Sequence, residues 1–338
     1  MRKRLLGRTG LWVSELCCGT ATFGGLDQFK ISGELSQEEA NLVIDTALEA
    51  GINFFNTAEL YSRGLAEQYL GKALGAKRKD NIIVSKVSPF GTPYENDGGH
   101  SRKHLIDACD ASLKRLGTDY IDLYELHGFD PFTPQEIVMR ALEDLVRSGK
   151  IRYFGCSNYT AWQMVKGNGI AEKNGWDKFV TLEAMYSLAA RELEYELVPA
   201  CIDQGMAILV YSPLHAGMLT GKYRRGKPWP VGTRLPSPDN TDHWVFEPEK
   251  LYPVIDALDN IAKERSVSIS QVALNYLLQK PGVCSLIIGT RTIEQLKQNL
   301  KAMQWQINQE EVALLDKVSE PRRMYPYELP PSPPTEKP

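Results

Sequence analysis

The sequence predicts an α/β fold: a single (β/α)8 TIM barrel with an N-terminal β-hairpin and one long irregular loop. Short runs rich in Val, Ile, Phe and Tyr alternate with longer helical patterns along almost the whole chain, which is typical of βα units around a parallel sheet. No glycine-rich GxGxxG turn follows any of these runs. Because an open doubly wound sheet normally begins with that turn, a closed barrel is favoured.

The predicted strands share short apolar centres that are bounded by turn residues. The eight strands are Glu15–Gly19, Asn53–Thr57, Ile82–Lys86, Ile121–Leu126, Tyr153–Cys156, Phe179–Leu182, Ala207–Tyr211 and Ser285–Ile288. The stretch Arg4–Val13 before them predicts a β-hairpin that caps the bottom of the barrel.

Helix signals separate the predicted strands. Ser36 with Glu39 predicts a capping box, Ser101 and Thr160 predict helix starts, and Thr133-Pro134 predicts a helix with proline at its first position. Four glycines follow helical stretches, where a residue with positive φ often ends a helix: Gly51, Gly117, Gly149 and Gly205. Each predicted helix is long enough to cross over one strand.

The chain shows no break in composition that would mark a second domain. Residues 1–325 are therefore predicted to form one barrel. Its irregular loop, at about residues 214–247, is rich in Gly, Pro, Trp and basic residues, and is either a functional clasp or disordered. The proline-dense tail at residues 326–338 is expected to be extended or mobile.

The charge balance and the N-terminus exclude several classes of partner. A formal net charge of -3 offers no broad basic field for nucleic acid. The basic N-terminus has no apolar segment behind it, and no run approaches the length of a membrane span. We therefore expect a cytoplasmic protein with no membrane partner. The six cysteines form no CxxC pair and are expected to be reduced packing residues.

Polar residues end three successive predicted strands, and these strand ends meet at one face of a barrel. Asn56 and Tyr61 follow the second strand, Lys86 ends the third and His127 follows the fourth. A nearby ammonium is expected to lower the pKa of the Tyr61 phenol and make it a better proton donor. Alone, each of these residues is more typical of packing or solvation; together they predict a catalytic cluster.

The chain resembles the aldo-keto reductase superfamily from about Arg4 to about Leu315, in its bacterial-type or potassium-channel-beta-like branch. The motifs that carry the resemblance are Leu6-Gly-Arg-Thr-Gly-Leu, Gly51-Ile-Asn-Phe-Phe-Asn-Thr-Ala-Glu-Leu-Tyr61, Val84-Ser-Lys86, Tyr120-Ile-Asp-Leu-Tyr-Glu-Leu-His127, Gly155-Cys-Ser-Asn158, Tyr211-Ser-Pro-Leu214, Leu219-Thr-Gly-Lys222 and Gly289-Thr-Arg-Thr-Ile-Glu-Gln295. The resemblance implies a barrel that binds NADP(H), with NADPH preferred over NADH, and reduces aldehydes or ketones by hydride transfer.

The resemblance also implies roles for individual residues. Tyr61 would be the general acid, Lys86 its neighbour that lowers its pKa, and His127 the group that orients the carbonyl. Arg291 would face the 2′-phosphate, and the long loop would act as a cofactor clasp. The implied cofactor-binding residues are Gly19, Thr20, Ser157, Asn158, Glu183, Tyr211, Ser212, Pro213, Leu214, Lys222, Arg234, Gly289, Thr290, Arg291, Gln295 and Asn299.

Two residues depart from the family pattern. Asn56 stands where the family usually has an aspartate that pairs with the lysine, and Glu183 stands where a glutamine usually contacts the cofactor carboxamide. Without the aspartate charge, burial is expected to lower the Lys86 pKa. Glu183 is a candidate to compensate Lys86 or the oxidised cofactor. The sequence also leaves open that Asn56 was introduced into an otherwise normal enzyme.

Aromatic residues near the barrel mouth are candidates for the substrate pocket, principally Phe23, Phe90 and Phe129; Trp229, Trp244 and Tyr325 are further candidates. His100 and His104 have a spacing that can hold a metal, but the charged residues between them favour a solvated turn, so no metal is expected.

The sequence thus predicts an NADPH-dependent enzyme that interconverts a small carbonyl compound and its alcohol. Two alternatives stay open: a cofactor-binding regulatory protein with weak catalysis, motivated by Asn56, and a non-redox or epimerising reaction on a sugar-like substrate, in which Glu183 serves as a base. The substrate and the oligomeric state are not specified by the sequence.

Overall fold

The computed structural model describes residues 1–89, 96–235, 247–322 and 324–327. An antiparallel hairpin comes first, formed by β1 (Lys3–Leu5) and β2 (Trp12–Ser14). Eight strands then close into a parallel barrel in which each strand pairs with the next and the last pairs with the first. They are β3 (Leu16–Gly19), β4 (Phe54–Asn56), β5 (Ile82–Val87), β6 (Ile121–Leu126), β7 (Ile151–Ser157), β8 (Thr181–Met185), β9 (Ala207–Tyr211) and β10 (Val283–Ile288). The predicted (β/α)8 fold and its hairpin are confirmed.

The sixth barrel strand shows the largest difference from the predicted bounds. It was predicted to begin at Phe179, but β8 begins at Thr181. The amide of Phe179 donates to the side chain of Asn168 at 2.9 Å, and its ring packs against those of Phe154 and Tyr159. Phe179 therefore belongs to the layer between strand and helix, and the pairing with β9 continues instead to Met185.

Helices cover the outside of the barrel: α1 (Gln37–Glu49), α2 (Leu65–Leu74), α3 (Arg102–Leu116), α4 (Gln135–Arg147), α5 (Ala161–Asn174), α6 (Leu197–Gln204), α7 (Pro248–Arg265), α8 (Ile269–Leu277), α9 (Ile293–Leu300) and α10 (Gln309–Val318). The caps at Ser36, Ser101 and Thr160 are confirmed. Pro134 was predicted at the first helical position, which is wrong by one residue: its ψ of 134° is extended, so it precedes the helix. The four predicted glycines all have positive φ.

The core has two layers. One lies between the strands and the helices, and the other fills the lower interior of the barrel, where Leu6 and Val13 of the hairpin region pack with Cys17, Phe54 and Leu209. The hairpin therefore closes the amino-terminal end of the barrel, as predicted. The open mouth lies at the carboxyl ends of the strands, where polar side chains replace the apolar filling.

The long loop is ordered over its described residues, 214–235. Met218, Leu219 and Tyr223 are buried, and the ring of Trp229 lies 4.5 Å from that of Tyr223, which makes Trp229 a packing anchor. The remainder of the predicted clasp, with Trp244, lies outside the described residues, as does most of the predicted tail.

The cysteines and helices agree with an ordinary packed interior. All six cysteines are free and buried, as the apolar pattern around them predicted. Within the described residues, no helix has the length and apolar character required to cross a membrane.

Candidate active site

Three neighbouring strands bring the predicted catalytic cluster together at the mouth. Asn56 ends β4 and Lys86 lies one residue before the end of β5. His127 follows β6, and its amide donates to Val87 at 2.9 Å, which extends the pairing by one residue. Tyr61 begins a short turn after β4. Because parallel strands keep their carboxyl ends together, residues that are far apart in the sequence meet here.

The turn that carries Tyr61 is held in a strained conformation. Ser62 and Arg63 both have positive φ, at 50° and 55°, a region that costs energy for residues other than glycine. The Ser62 hydroxyl donates to the carbonyl of Phe23 at 2.8 Å and accepts from the amide of Leu26 at 3.2 Å. These bonds fix the direction in which the Tyr61 ring projects into the mouth.

Lys86 is completely buried, and its ammonium is surrounded by acceptors. Its Nζ donates to Asn56 Oδ1 at 2.6 Å and to the carbonyl of Thr57 at 3.0 Å, and lies 3.4 Å from the Tyr61 hydroxyl. A buried ammonium needs such partners, because an unpaired charge in the interior is costly. The amine is therefore fixed beside the phenol.

Glu183, on β8 across the barrel, completes this cluster. Its Oε2 accepts from Asn56 Nδ2 at 2.6 Å and lies 3.3 Å from Lys86 Nζ. The expected fall in the Lys86 pKa is therefore wrong. Burial alone would lower the pKa, but the carboxylate of Glu183, with Tyr61 and Glu125 nearby, outweighs burial and raises the Lys86 pKa above its ordinary value.

The Tyr61 pKa also differs from the prediction. Burial raises it most, Lys86 lowers it and Glu183 raises it, so that the net pKa lies above the ordinary value of a phenol. The prediction considered only the ammonium and neglected desolvation. In this state Tyr61 keeps its proton at neutral pH and is available as a donor.

His127 is neutral at physiological pH. Burial, with a smaller effect of Lys86, lowers its pKa to about 3. Its ring lies edge-on to the Tyr61 ring, with centroids 5.7 Å apart, and its Nδ1 is buried without a hydrogen-bond partner in the described structure. A neutral imidazole can still donate one hydrogen bond to a substrate oxygen.

Sequence reasoning missed Glu125, which is also completely buried. It pairs in register with Lys86 on the adjacent strand, and its Oε1 accepts from the Thr181 hydroxyl at 2.6 Å. Burial, then Glu183, raises its pKa well above the ordinary value, which favours the protonated form of this carboxyl. The alternation in Ile121-Asp-Leu-Tyr-Glu-Leu places residue 125 on the same inward face as Leu123, a signal that could have identified it.

Glycine on β7 makes room for the buried acid. A Cβ atom at Gly155 would lie 1.9 Å from the Thr181 hydroxyl and 3.0 Å from Glu125 Oε1. No side chain fits in that space, so the contact between Glu125 and Thr181 requires glycine here.

A cavity of about 900 Å³ opens above the cluster and extends over the mouth. Its wall contains Asn56, Tyr61 and His127 together with most of the predicted cofactor residues: Gly19, Ser157, Asn158, Glu183, Tyr211, Ser212, Pro213, Leu214, Lys222, Arg234, Gly289, Arg291, Gln295 and Asn299. Thr20 and Thr290 are buried beside it and do not line it.

The middle of the cavity is lined by residues with strained backbone angles whose side chains are hydrogen-bonded to one another. Asn158 and Ser212 have positive φ, and the Tyr211 hydroxyl donates to Asn158 Oδ1 at 2.8 Å. Asn158 Nδ2 donates to the Ser157 hydroxyl and to the His127 carbonyl, each at 3.0 Å. Strain of this kind is concentrated at ligand sites.

The far end of the cavity is cationic. Burial and the charge of Arg291 lower the Lys222 pKa. The Arg291 guanidinium donates to backbone carbonyls of two loops, those of Ile31 and Ser32 on one side and Gly232 of the clasp on the other. Arg291 thus joins the loop after β3 to the clasp at the rim of the cavity.

Comparison with known proteins identifies the family. The chain matches the Aldo/keto reductase family over residues 15–320. The chain belongs to the aldo/keto reductase family. It is 34% identical to versiconal hemiacetal acetate reductase of Aspergillus parasiticus, over 96% of this chain and 98% of that protein.

Two further relatives show the breadth of this aldo/keto reductase branch. The uncharacterized oxidoreductase YrpG of Bacillus subtilis is 35% identical, over 94% of this chain and 96% of its own length. A probable voltage-gated potassium channel subunit beta of Arabidopsis thaliana is 34% identical, over 90% of this chain and 91% of its own length. Relatives of this family thus include both proteins named as oxidoreductases and proteins named as channel subunits.

The structure does not bring the described phenylalanine candidates for the substrate pocket, Phe23 and Phe129, to the cavity. Phe23 is completely buried in the core, and Phe129 packs against Tyr159 and Trp162 away from the cavity; neither lines it. Phe90 lies outside the described residues. Phe29 lines the cavity instead, with its ring 5.1 Å from that of Tyr61.

Loop residues account for most of the remaining wall that sequence reasoning missed: Ala21, Thr22, Ser32, Ala216, Gly217, Thr220, Gly232, Thr233, Ser268, Ser270, Ile287, Ile288, Glu294 and Gln298. Small and polar residues in loops carry no distinctive pattern, so no local signal marks most of them.

The two histidines with metal-like spacing lie outside this site. His100 is buried and desolvation lowers its pKa to about 4, whereas His104 Nε2 lies 3.9 Å from Glu59. Across the described residues, no group of three or more His, Cys, Asp or Glu side chains is arranged to hold a metal ion.

Proposed function

We propose that the protein is a cytoplasmic NADP(H)-dependent oxidoreductase that interconverts an aldehyde or ketone and the corresponding alcohol, with Tyr61 as the proton donor and acceptor. The observation that carries the proposal is the placement of the Tyr61 hydroxyl 3.4 Å from a fully buried ammonium, at the wall of the large cavity and beside a neutral histidine.

The residues of the cavity fit an extended dinucleotide. The cavity is long, has a cationic end at Lys222 and Arg291, and has a strained polar centre at Asn158 and Ser212. The Thr22 hydroxyl in its wall is buried without a partner in the described structure. When bound, the nicotinamide would supply a hydride to the carbonyl carbon.

The chain's own residues supply the other half of the reaction. His127 donates a hydrogen bond to the carbonyl oxygen and places it near Tyr61. Tyr61 transfers its proton to that oxygen as negative charge develops, and the ammonium of Lys86 stabilises the phenolate that results. In alcohol oxidation the same groups act in reverse.

The proposal is tested with a panel of aldehydes, ketones and alcohols, followed by NADPH absorbance. Tyr61→Phe removes the proton donor and should lower kcat by about 10²- to 10⁴-fold with cofactor binding retained. Tyr124→Phe is the matched control, because Tyr124 is a buried tyrosine whose hydroxyl has no partner in the described structure; its kcat should be unchanged. No turnover of any compound by the wild type, or equal rates for the two variants, would refute the proposal.

The preference for NADPH is proposed to depend on Arg291. Arg291→Ala should weaken NADPH binding by roughly 10- to 100-fold, the size of a lost hydrogen bond between charged groups, and leave NADH binding nearly unchanged. Fluorescence titration with each cofactor measures both values. Lys297→Ala is a control, because Lys297 is an exposed lysine on α9, the helix that follows Arg291. Equal losses for NADPH and NADH contradict the assignment to the 2′-phosphate.

A second candidate function is cofactor-dependent regulation of a partner protein. It is favoured by the similarity to proteins named as potassium channel beta subunits. Tight NADPH binding without turnover across the panel would support it over the reductase.

A further inference from the structure

The contacts around Asn56 define the direction of its side-chain amide. Its Oδ1 accepts from Lys86, so its Nδ2 must point the other way, and there it donates to Glu183. Lys86 also reaches Glu183 directly, at 3.3 Å. The amide therefore stands between the ammonium and the Glu183 carboxyl group, with a hydrogen bond to each of them.

The shapes of these residues allow the charge to lie on either strand. Asparagine and aspartate have nearly the same shape, as do glutamate and glutamine. Asn56→Asp combined with Glu183→Gln would keep every hydrogen bond of the cluster, and only the donor between positions 56 and 183 would change sides. The present pair differs from that arrangement in which strand carries the negative charge and the bridging donor, and in the direct approach of Glu183 Oε2 to Lys86 Nζ at 3.3 Å.

The other groups that face Lys86 do not supply a negative charge at neutral pH. Tyr61 and Cys17 keep their protons because burial raises their pKa values, and His127 is neutral. Burial, then Glu183, raises the Glu125 pKa well above its ordinary value, which favours the uncharged form of Glu125. An isolated ammonium in this dry interior would be costly, so one carboxylate is required.

We infer that Glu183 is the positioning residue for Lys86, and that Asn56 and Glu183 form an exchanged pair in which the amide stands on β4 and the acid on β8. Glu183 acts through Lys86: it keeps the ammonium charged and 3.4 Å from the Tyr61 hydroxyl. The catalytic part of this inference rests on the proposed function, whereas the charge pairing does not.

A cycle of four proteins tests the exchange: wild type, Glu183→Gln, Asn56→Asp and the double variant. Glu183→Gln keeps a hydrogen-bond acceptor for Asn56 but removes the charge. Its kcat should fall by about 10- to 100-fold, with KM for the carbonyl changed less. The alkaline limb of its pH profile should move down by about one pH unit, because both Lys86 and Tyr61 then lose their protons more easily. The double variant should recover kcat to within about threefold and return the limb to its position.

Thermal unfolding gives a readout that does not depend on activity. Glu183→Gln should lower Tm by roughly 5 to 10 °C, because it leaves a buried ammonium without a counter-charge, and the added Asn56→Asp should restore most of the loss. Glu15→Gln is the matched control, because Glu15 is a buried acid paired with two arginines at the other end of the barrel. It should lower Tm with no shift of the pH profile and no rescue by Asn56→Asp.

The kinetic and the thermal measurements together distinguish failure of the inference from failure of the proposed function. Absence of turnover in the wild type refutes the function, but the recovery of Tm in the double variant would still support the exchanged pair. A Glu183→Gln protein with wild-type Tm and pH profile, or a double variant no better than Glu183→Gln, would overturn the inference.

Discussion

Both ends of the barrel hold a buried carboxylate with cationic partners, but they satisfy it differently. At the amino-terminal end of the barrel, which we call the floor, Glu15 accepts hydrogen bonds from Arg2 at 2.7 Å and from Arg4 at 2.8 Å. Arg4 also donates to the carbonyls of Leu278 and Val283, which ties the hairpin region to the chain around β10.

At the mouth, Lys86 and Glu183 are joined through Asn56, and several neighbouring groups lack partners. Glu125 Oε2 and His127 Nδ1 are buried without hydrogen bonds in the described structure. A fully paired cluster stabilises a fold, whereas an unpartnered polar atom of a residue that lines a cavity, such as His127 Nδ1, is available for a ligand. The carboxylate at the floor is thus fully paired, whereas the mouth presents an unpartnered polar atom to the cavity.

Removal of the mouth cation should have the largest effect on activity. Lys86→Met leaves Glu183 buried without an ammonium and Tyr61 without its neighbouring charge, so kcat should fall by about 10²- to 10⁴-fold. Steady-state kinetics with the best carbonyl of the panel measures the loss. Activity within a few-fold of wild type would show that the two ends do not differ as described.

Removal of a floor cation should affect stability instead. Arg4→Met breaks the bonds to Glu15 and to the two carbonyls, and should lower the free energy of unfolding by about 1 to 3 kcal/mol. Urea unfolding measures this change, and kcat should stay within about twofold of wild type. A large fall in kcat for the folded variant would mean that the floor also influences the site.

The smallest predicted effect is on the stability of the protein at acidic pH, to which His127 contributes. The pKa of His127 is about 3 in the folded chain and about 6.5 in an unfolded one. Between these values only the unfolded chain binds the proton, so the His127 contribution to stability is lost as pH falls below about 6.5. As the pH is lowered, the free energy of unfolding should therefore fall less steeply for His127→Gln than for the wild type. Parallel stability curves for both proteins between about pH 4 and pH 7 would contradict the lowered pKa.

Local patterns predicted the fold well because strands and caps depend on near neighbours. The runs at Ile121–Leu126 and Ala207–Tyr211 have the predicted bounds, and the capping box at Ser36 depends on a residue three positions away. Pro134 differs because its ring fixes φ but leaves ψ open, and its ψ of 134° keeps it outside the helix.

The predicted cluster at the mouth was also accessible, since polar residues end successive strands. The charges and pKa values in this cluster could not be predicted from the sequence. Asn56 and Glu183 are 127 positions apart, and they come into contact only because the strands close into a barrel. The pKa prediction for Lys86 failed because it considered burial without the acid on β8. That for Tyr61 failed because it considered the ammonium without burial. Phe29 was missed because it lies in a five-residue 3-10 helix, Asp27–Ile31, which is too short to show a periodic pattern.

Gly155 limits how the interior of this barrel can be redesigned. The space beside its α-carbon accommodates the contact between Glu125 and Thr181, so a single added methyl group on β7 would expel the inner acid from its place. The polar contact between Glu125 and Thr181 thus depends on the absence of a side chain at position 155, and any attempt to transplant this cluster into another barrel must include the glycine.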